Sequence, residues 1–499
     1  MRIYWLNPPI STRVITADTA WMEISSACPN EEWIQPILNW DLYEDAEDIV
    51  EHILQNSPDM ICVSSYVWNA ELCLDVLRNL KRINPDIVTV RGGPHQPKNE
   101  TFIDHFCDPL SAGEPFIVNL LNDLTGSSYQ ERTKQFSEKS SLINHTLYLT
   151  EVVAEAKRKR ISATVNIETT RGCPYSCTYC EWGGGIGTKI TQKPIQNVYD
   201  EIDLCSLLGF DDIDIVDANF GILKRDVDIM TRLADNKKKY GYPKLTHLYG
   251  IAKSKVEKKE RVLEIAFEAG LMTSFAMSLQ GITEEVMKNI KRTDVPLQDI
   301  LDLAARMEAK FNVEPRLELI MGLPGSTLKD FYDEMNLVEY TKNWNWMRYP
   351  FTILPSTEAA NPFYKALHKI KTSLMMTPDN DMREIKGSHQ SVISKYKSPQ
   401  EIVVESYSFT KEEWKEMFFM NYAQRVLGET LSKDIPYSEQ MQSIYKEISS
   451  TEWYSKIKKQ LDDLVEGKKQ TDYLDYDGLL IEDWVTKYYI NKEPYGSNN

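Results

Sequence analysis

The sequence predicts an α/β protein in three successive parts. Short apolar strand patterns alternate with amphipathic helix patterns in residues 1–125 and again in residues 161–360, and the strand patterns stop beyond residue 361. Strands that are joined by helical crossovers form parallel sheets. We therefore expect an N-terminal doubly wound open sheet, a central partial barrel of about six βα units, and a mainly helical C-terminal domain.

The N-terminal part, residues 1–125, alternates strands and helices. Arg2–Leu6, Met60–Ser64 and Ile87–Val90 are strand patterns, and Ala46–Gln55 and Ala70–Ile83 have helical spacing. Ligands of an open parallel sheet bind beyond the carboxyl ends of its strands. Small or polar residues at these ends predict a pocket for a large polar ligand: Pro8, Pro9, Ser64, Ser65, Tyr66, Gly92, Gly93, Pro94, His95, Gly113 and Glu114. Taken alone, Gly92–His95 favours a simple tight turn; the pocket is inferred from the set of strand ends together.

Residues 126–160 are polar and predict an extended connector with one helix over Tyr148–Lys159. Six strand patterns follow, too few for a closed eight-stranded barrel. They are Thr164–Glu168, Asp212–Val216, Thr246–Ile251, Met272–Leu279, Arg316–Met321 and Met347–Leu354. Residues 361–499 lose the strand patterns and predict a mainly helical domain.

Composition excludes several classes of protein. The chain has 57 basic and 74 acidic residues, a formal net charge of −17, which disfavours sequence-independent binding to nucleic acid. No run of 18 apolar residues predicts a membrane span, and the N-terminus lacks a signal-peptide profile. We therefore expect a cytoplasmic protein with no membrane partner.

Three of the eight cysteines form a motif. Five are scattered as expected for buried small side chains: Cys28, Cys62, Cys73, Cys107 and Cys205. Cys173, Cys177 and Cys180 form C-x3-C-x2-C directly after a strand pattern. A structural zinc site needs four protein ligands, and no fourth Cys or His lies at suitable spacing. Three thiolates on a cubane iron–sulfur cluster leave one iron open to a substrate.

The triplet, with Tyr179 in the penultimate place, resembles the radical S-adenosylmethionine (SAM) superfamily over about residues 160–360. The resemblance implies that the cysteines hold a 4Fe–4S cluster. Its open iron would chelate SAM, and an electron would cleave SAM to methionine and a 5′-deoxyadenosyl radical. Later segments resemble the family's SAM-binding motifs, which implies SAM contacts at Tyr179, Asp217, Asn219, Lys253, Ser278, Gln280 and Gly322.

The polar strand ends upstream of this core resemble the cobalamin-binding domain of cobalamin-dependent radical SAM enzymes. The resemblance implies a Rossmann-like cobalamin-binding domain at residues 1–125. No D-x-H-x-x-G motif supplies a histidine below cobalt, so Trp68 and Asn69 are candidates for lining that lower face. Trp68 is equally compatible with a plain core aromatic residue.

These resemblances together imply a cobalamin-dependent radical SAM C-methyltransferase. It would methylate an unactivated carbon of a small molecule or peptide through the 5′-deoxyadenosyl radical and methylcobalamin. Electrons would come from a donor such as flavodoxin or ferredoxin, and no catalytic acid or base is assigned. A non-methylating rearrangement, ring contraction or cyclisation with the same cofactors is the alternative.

Two other classes fit the sequence less well. A methylthiotransferase would need a second cysteine triplet, and the N-terminal cysteines do not group. A non-catalytic iron–sulfur or corrinoid carrier has no need of a barrel of ~200 residues that carries SAM-contact motifs.

Overall fold

The structure is a computed structural model in which every residue is described except 9–13, 37–45, 67–68, 94–99, 108–112, 130–139, 185–188, 249–255, 294–295, 338–344, 379–396, 429–430, 433, 469–478 and 496–499. The chain separates into two compact units. The first unit takes the described residues within Met1–Ser176, Cys180–Thr273 and Pro378–Ser398. The second takes those within Cys177–Tyr179, Ser274–Thr377 and Pro399–Asn499.

The first unit alternates strands and helices along the chain. Its strands are β1 (Arg2–Leu6), β2 (Val14–Ala17), β3 (Glu32–Ile34), β4 (Met60–Ser64), β5 (Val88–Gly92), β6 (His105–Phe106), β7 (Ser162–Ile167), β8 (Thr170–Arg171), β9 (Thr191–Gln192) and β10 (Asp212–Ile215). Its helices are α1 (Thr19–Ala27), α2 (Ala46–Gln55), α3 (Ala70–Ile83), α4 (Gly113–Thr125), α5 (Ser141–Asn144), α6 (Thr146–Lys159), α7 (Glu181–Gly184), α8 (Ile195–Leu208), α9 (Arg225–Tyr240) and α10 (Val256–Glu268).

Five parallel strands form the N-terminal sheet, in the order β3-β1-β4-β5-β6. One face of the sheet packs on α2 and α3, where Ile49, Val76 and Leu77 are fully buried with Ile61 of β4. The other face joins a second core that includes residues of α1 and α4. Because helices cover both faces, the doubly wound open sheet predicted from the sequence is confirmed.

A second parallel sheet has the order β10-β7-β2. The β2 strand comes from the N-terminal segment, and Val14 to Ala17 pair in register with Ser162 to Val165 of β7. Along the chain, β1 lies in the first sheet, β2 lies in the second sheet, and β3 lies in the first sheet again. The segment predicted to be an extended connector contains α6, whose Leu149 and Val152 are fully buried in the same core.

The second unit begins with another parallel sheet. Its strands are β11 (Ser274–Gln280), β12 (Glu314–Met321), β13 (Asn345–Pro350), β14 (Lys371–Pro378) and β15 (Lys397–Glu405). Its helices are α11 (Glu284–Asn289), α12 (Leu297–Phe311), α13 (Leu328–Met335), α14 (Pro362–Leu367), α15 (Lys411–Leu427), α16 (Tyr437–Ser449), α17 (Glu452–Val465) and α18 (Leu479–Trp484), with a 3-10 turn at Glu358–Ala360 and a π-helical turn at Val485–Ile490. The parallel order is β11-β12-β13.

The C-terminal region is mainly helical, as the sequence predicts, but not helical throughout. Strands β14 and β15 form a two-stranded sheet, so the expectation that strands stop beyond residue 361 is wrong. Ile402, Val403 and Val404 of β15 are fully buried, and this β-branched run packs in the core of the second unit. Helix α15 also contributes to that core, with Trp414 and Phe418 fully buried. Among the described helices, none is long and apolar enough to cross a membrane.

Candidate functional site

The cysteine loop leaves the carboxyl end of β7 and is braced by Asp217, which follows β10. The carboxylate of Asp217 accepts hydrogen bonds from the backbone N–H and the hydroxyl of both Thr169 and Thr170, over 2.5 to 3.0 Å. Asp217 is 1% exposed. Burial raises the pKa of Asp217, and the four donors oppose that by stabilising the ionised carboxylate. Asp217 therefore fixes the chain just before Cys173.

Cys173 and Cys177 are buried and Cys180 is partly exposed. Cys173 and Cys180 belong to the first unit and Cys177 to the second. Within the part of the chain that the structure describes, no three Cys, His, Asp or Glu side chains group around a position for a single metal ion. The fit to a cluster thus rests on the donor set, three thiols on one short loop, which is what a cubane with one open iron requires. The ligand roles of the three cysteines stay a prediction.

Asn219 offers an unsatisfied acceptor in the loop after β10. It is 5% exposed, and its side-chain oxygen has no hydrogen-bond partner among the described residues. Buried polar atoms in native proteins are nearly always paired. An orphaned amide oxygen here fits a bound N–H donor, and the amino group of SAM is such a donor.

Asp226 closes the same loop at the start of α9. One carboxylate oxygen accepts from the N–H groups of Gly221 and Leu223, and the other has no partner among the described residues. Burial raises the pKa of Asp226 to about 6, with a smaller contribution from nearby Asp217. Because one oxygen is held by backbone donors, Asp226 orders the turn that carries Asn219.

In the second unit, three sequence-predicted residues lie at or near the carboxyl ends of β11 and β12. The Ser278 hydroxyl donates to Glu318 over 2.6 Å. Gln280 has φ +67° at the end of β11, where the pairing with β12 shifts register. A non-glycine residue in this region stores local strain, which clusters at functional sites. Gly322 has φ +85° directly after β12.

The predicted cobalamin residues that the structure describes meet at the carboxyl edge of the N-terminal sheet. Asn69 is 1% exposed, and its amide donates to the carbonyls of Pro8 and Ser64 and accepts from the Tyr66 N–H. Asn69 thus ties the end of β1 to the end of β4. Its contact with cobalamin stays a prediction.

Gly93 approaches Ser65 too closely for any side chain. It has φ +93°, and a Cβ at this position would lie 2.3 Å from the carbonyl oxygen of Ser65. Ser65 is fully buried and donates its N–H to the Gly92 carbonyl over 2.9 Å. The two strand ends are therefore drawn together, and at Gly92 and Gly93 the edge presents backbone alone, which a large ligand can approach closely.

We expect Gly93→Ala to lower the free energy of unfolding by about 2–4 kcal/mol, since it combines unfavourable φ with a backbone clash. It should also weaken cobalamin binding at least about tenfold. Gly126→Ala is the matched control, because Gly126 has φ +70° but nothing within 4 Å of its added Cβ, and it should cost only about 1 kcal/mol. Urea unfolding and cobalamin titration measure both effects. Equal behaviour of the two variants would contradict the close approach.

Several predicted residues lie outside the described part of the chain or are described only in part. Pro9, Trp68, Pro94, His95 and Lys253 lie outside the described residues. Gly113 and Glu114 begin α4. Their roles stay predictions.

Two buried arginines in these regions were missed from the sequence. Arg91 is fully buried in β5 and donates to the Ser65 hydroxyl over 3.0 Å, and burial lowers the pKa of its guanidinium. Arg292 is 5% exposed and donates to the Tyr179 hydroxyl over 2.6 Å. A charged residue within the strand pattern Val88–Gly92 is a signal that could have identified Arg91. Arg292 gives no comparable signal.

Comparison with known proteins identifies two domains. The Radical SAM superfamily model matches residues 167–338, and the B12 binding domain model matches residues 14–108. The first match contains the cysteine loop and the second contains Gly92 and Gly93. Together they support the binding of a 4Fe–4S cluster, SAM and cobalamin.

Two curated relatives match most of this chain. The 2-(S-pantetheinyl)-carbapenam-3-carboxylate methyltransferase of Streptantibioticus cattleyicolor is 27% identical over 397 residues, covering 72% of this chain and 55% of the relative. The cobalamin-dependent radical SAM methyltransferase TokK of Streptomyces tokunonensis is 27% identical over 399 residues, covering 73% and 57%. The chain thus spans a little over half the length of each.

A solved structure shares the fold. The radical SAM methyltransferase TsrM of Kitasatospora setae superposes with a TM-score of 0.59 at 13% identity, covering 83% of this chain and 88% of TsrM. The radical SAM match contains the cysteine loop, and the B12-binding match contains Gly92 and Gly93 at the edge of the N-terminal sheet. The local structure and the domain matches therefore agree. The chain therefore has a B12-binding domain followed by a radical SAM domain, and it is similar to proteins named cobalamin-dependent radical SAM methyltransferases.

Proposed function

We propose that this chain is a methyltransferase that adds a methyl group to an unactivated carbon of a small molecule or peptide. The observation that carries the proposal is that this one chain contains both domains, together with its similarity to two proteins that are named methyltransferases. An unactivated sp³ carbon has no usable acidity or nucleophilicity, so acid–base side chains cannot serve and cofactors must supply the chemistry. When bound, the cluster, SAM and cobalamin supply the electron, the carbon radical and the methyl carrier.

The residues of this chain would bind and orient the cofactors and would exclude water from them. Asn219 presents a buried acceptor for an N–H donor of SAM. The backbone at Gly92 and Gly93 would receive cobalamin, because neither residue carries a side chain of its own. Cys173, Cys177 and Cys180 would bind the cluster on a loop that Asp217 fixes. We further propose a cytoplasmic location and a small electron-transfer protein as donor, such as flavodoxin or ferredoxin.

The experiment is anaerobic turnover of the reconstituted protein with SAM that carries a deuterated methyl group. A pantetheinyl carbapenam carboxylate is the first probe, because a relative is named for that compound. We expect a product that gains one deuterated methyl group in place of hydrogen, together with 5′-deoxyadenosine. The variant Asn219→Ala is measured beside the unchanged protein. It should lower 5′-deoxyadenosine formation and methylated product together.

Other outcomes discriminate among the alternatives. A rearranged or cyclised product without the deuterated label, formed with 5′-deoxyadenosine, would replace the proposal by the non-methylating function. Absence of 5′-deoxyadenosine from reduced, cluster-loaded protein would favour a carrier role.

A further inference from the structure

The two residues between Cys177 and Cys180, Thr178 and Tyr179, belong to the second unit. Thr178 is fully buried. Its N–H donates to the Ile290 carbonyl over 3.0 Å, and its carbonyl accepts from the Ala359 N–H over 2.8 Å. Its hydroxyl donates to the Tyr364 hydroxyl over 3.1 Å. Every polar group of Thr178 is therefore paired within the second unit.

Arg292 holds the next residue, Tyr179. One terminal nitrogen of Arg292 donates to the Tyr179 hydroxyl over 2.6 Å, and the other donates to the Ser278 carbonyl. Burying a guanidinium is costly, so the side chain needs a role that a neutral residue cannot fill. A guanidinium presents several N–H donors in one rigid plane. Here that plane spans Tyr179 of the cysteine loop and Ser278 of β11.

The turn that carries Arg292 also reaches the loop after β12. The Asn289 amide donates to the Pro324 carbonyl over 3.1 Å and to the Tyr407 hydroxyl over 2.8 Å, and the Asn289 carbonyl accepts from Tyr364. One turn, Asn289–Arg292, therefore joins the cysteine loop, the end of β11 and the loop after Gly322. These three segments carry Tyr179, Ser278 and Gly322, each predicted from the sequence to contact SAM.

We propose that Arg292 is a positioning residue that holds Tyr179 and Ser278 in the relative placement that SAM requires. The inference rests on the proposed function only in that the chain binds a cluster and SAM; it does not depend on the fate of the methyl group. Arg292 acts through its two acceptors and needs no contact with SAM itself. Its loss should therefore weaken SAM binding more than it reduces the amount of cluster.

The test compares Arg292→Gln, Arg292→Lys and Tyr179→Phe in the full-length, cluster-reconstituted protein. Arg306→Gln is the matched control, because Arg306 is an exposed arginine of α12 in the same unit. Four quantities are measured: iron per chain, the thermal midpoint, the change that SAM causes in the electron paramagnetic resonance spectrum of the reduced cluster, and the KM for SAM in 5′-deoxyadenosine formation.

We expect Arg292→Gln to keep about four irons per chain and to raise the KM for SAM about tenfold or more, as the loss of a charge-assisted hydrogen bond implies. The SAM-induced spectral change should weaken in parallel. Arg292→Lys keeps the charge but not the planar pair of donors, so it should restore only part of the effect. Tyr179→Phe should raise the KM less, and combining it with Arg292→Gln should give less than the product of the two effects, because they share one contact.

Unchanged KM and an unchanged spectrum in Arg292→Gln would overturn the proposal. So would a loss of iron and of thermal midpoint that accounts for the rise in KM, since Arg292 would then support the fold alone. If Arg292→Gln does not fold, Tyr179→Phe decides: an unchanged spectrum and KM in that variant would also overturn the proposal. None of these readouts requires methyl transfer, so a failed proposed function leaves the test intact.

Discussion

Replacing Cys173, Cys177 and Cys180 together by alanine is expected to lower iron from about four per chain to nearly none and to abolish SAM cleavage. No other cysteine lies on this loop, and four of the remaining cysteines, Cys28, Cys62, Cys73 and Cys107, belong to the N-terminal region. Cobalamin binding should survive, because the glycine-lined edge of the N-terminal sheet is left intact. Iron analysis, visible absorbance and 5′-deoxyadenosine formation measure the result.

Cys205→Ala is the matched control for the triple variant. Cys205 is fully buried in α8, and its replacement should leave iron content unchanged while costing stability through the small cavity. SAM cleavage by the triple variant would refute the ligand assignment. Loss of cobalamin binding along with iron would show instead that the two domains do not bind their cofactors independently.

Asp217→Ala is expected to lower the free energy of unfolding by about 3 kcal/mol or more, because it leaves four donors without their acceptor in a buried site. The iron content of the reconstituted protein should fall as well, since Thr169 and Thr170 directly precede the cysteine loop. Asp217→Asn should be intermediate in both measurements, since one amide oxygen can still accept. Urea unfolding and iron analysis provide the two measurements.

Asp228→Ala is the control for Asp217, because Asp228 is an exposed residue of α9 and surface substitutions usually change stability by less than about 0.5 kcal/mol. The comparison also tests the sequence-based role of Asp217. Normal stability and iron content with a raised KM for SAM would mean that its carboxylate contacts SAM and that the threonine contacts are dispensable.

The parts of the fold that were predictable are those with long, regular patterns. Met60–Ser64 is apolar up to its last residue and Ala70–Ile83 is strongly amphipathic, and both occur at the expected bounds. Strand β2 was not predicted, because Val14–Ala17 has only four residues and its partner β7 lies far along the chain. Such pairing is decided by tertiary contacts, which local pattern cannot express.

The candidate site likewise has features that the local sequence predicts and features that depend on contacts between distant residues. The cysteine spacing is local, so the amino-acid sequence alone is enough to recognise the motif. The pairing of Arg292 with Tyr179 spans 113 positions and that of Thr178 with Tyr364 spans 186. Neither pair forms a sequence pattern. Asp217 is recognisable by its motif, but its four bonds to Thr169 and Thr170 depend on the approach of β10 to β7 in three dimensions.

The pairing of β2 with the distant strand β7 has a consequence for folding during synthesis. When a ribosome has made the whole N-terminal sheet, it has also made β2. The partner strand β7, however, is not made until about 150 residues after β2. At 5–20 residues per second, β2 waits roughly 7–30 s for its partner. During that interval a short apolar edge is open to wrong pairing. Expressing residues 1–125 alone would make that exposure permanent, so the N-terminal domain should prove harder to isolate than its compact sheet suggests.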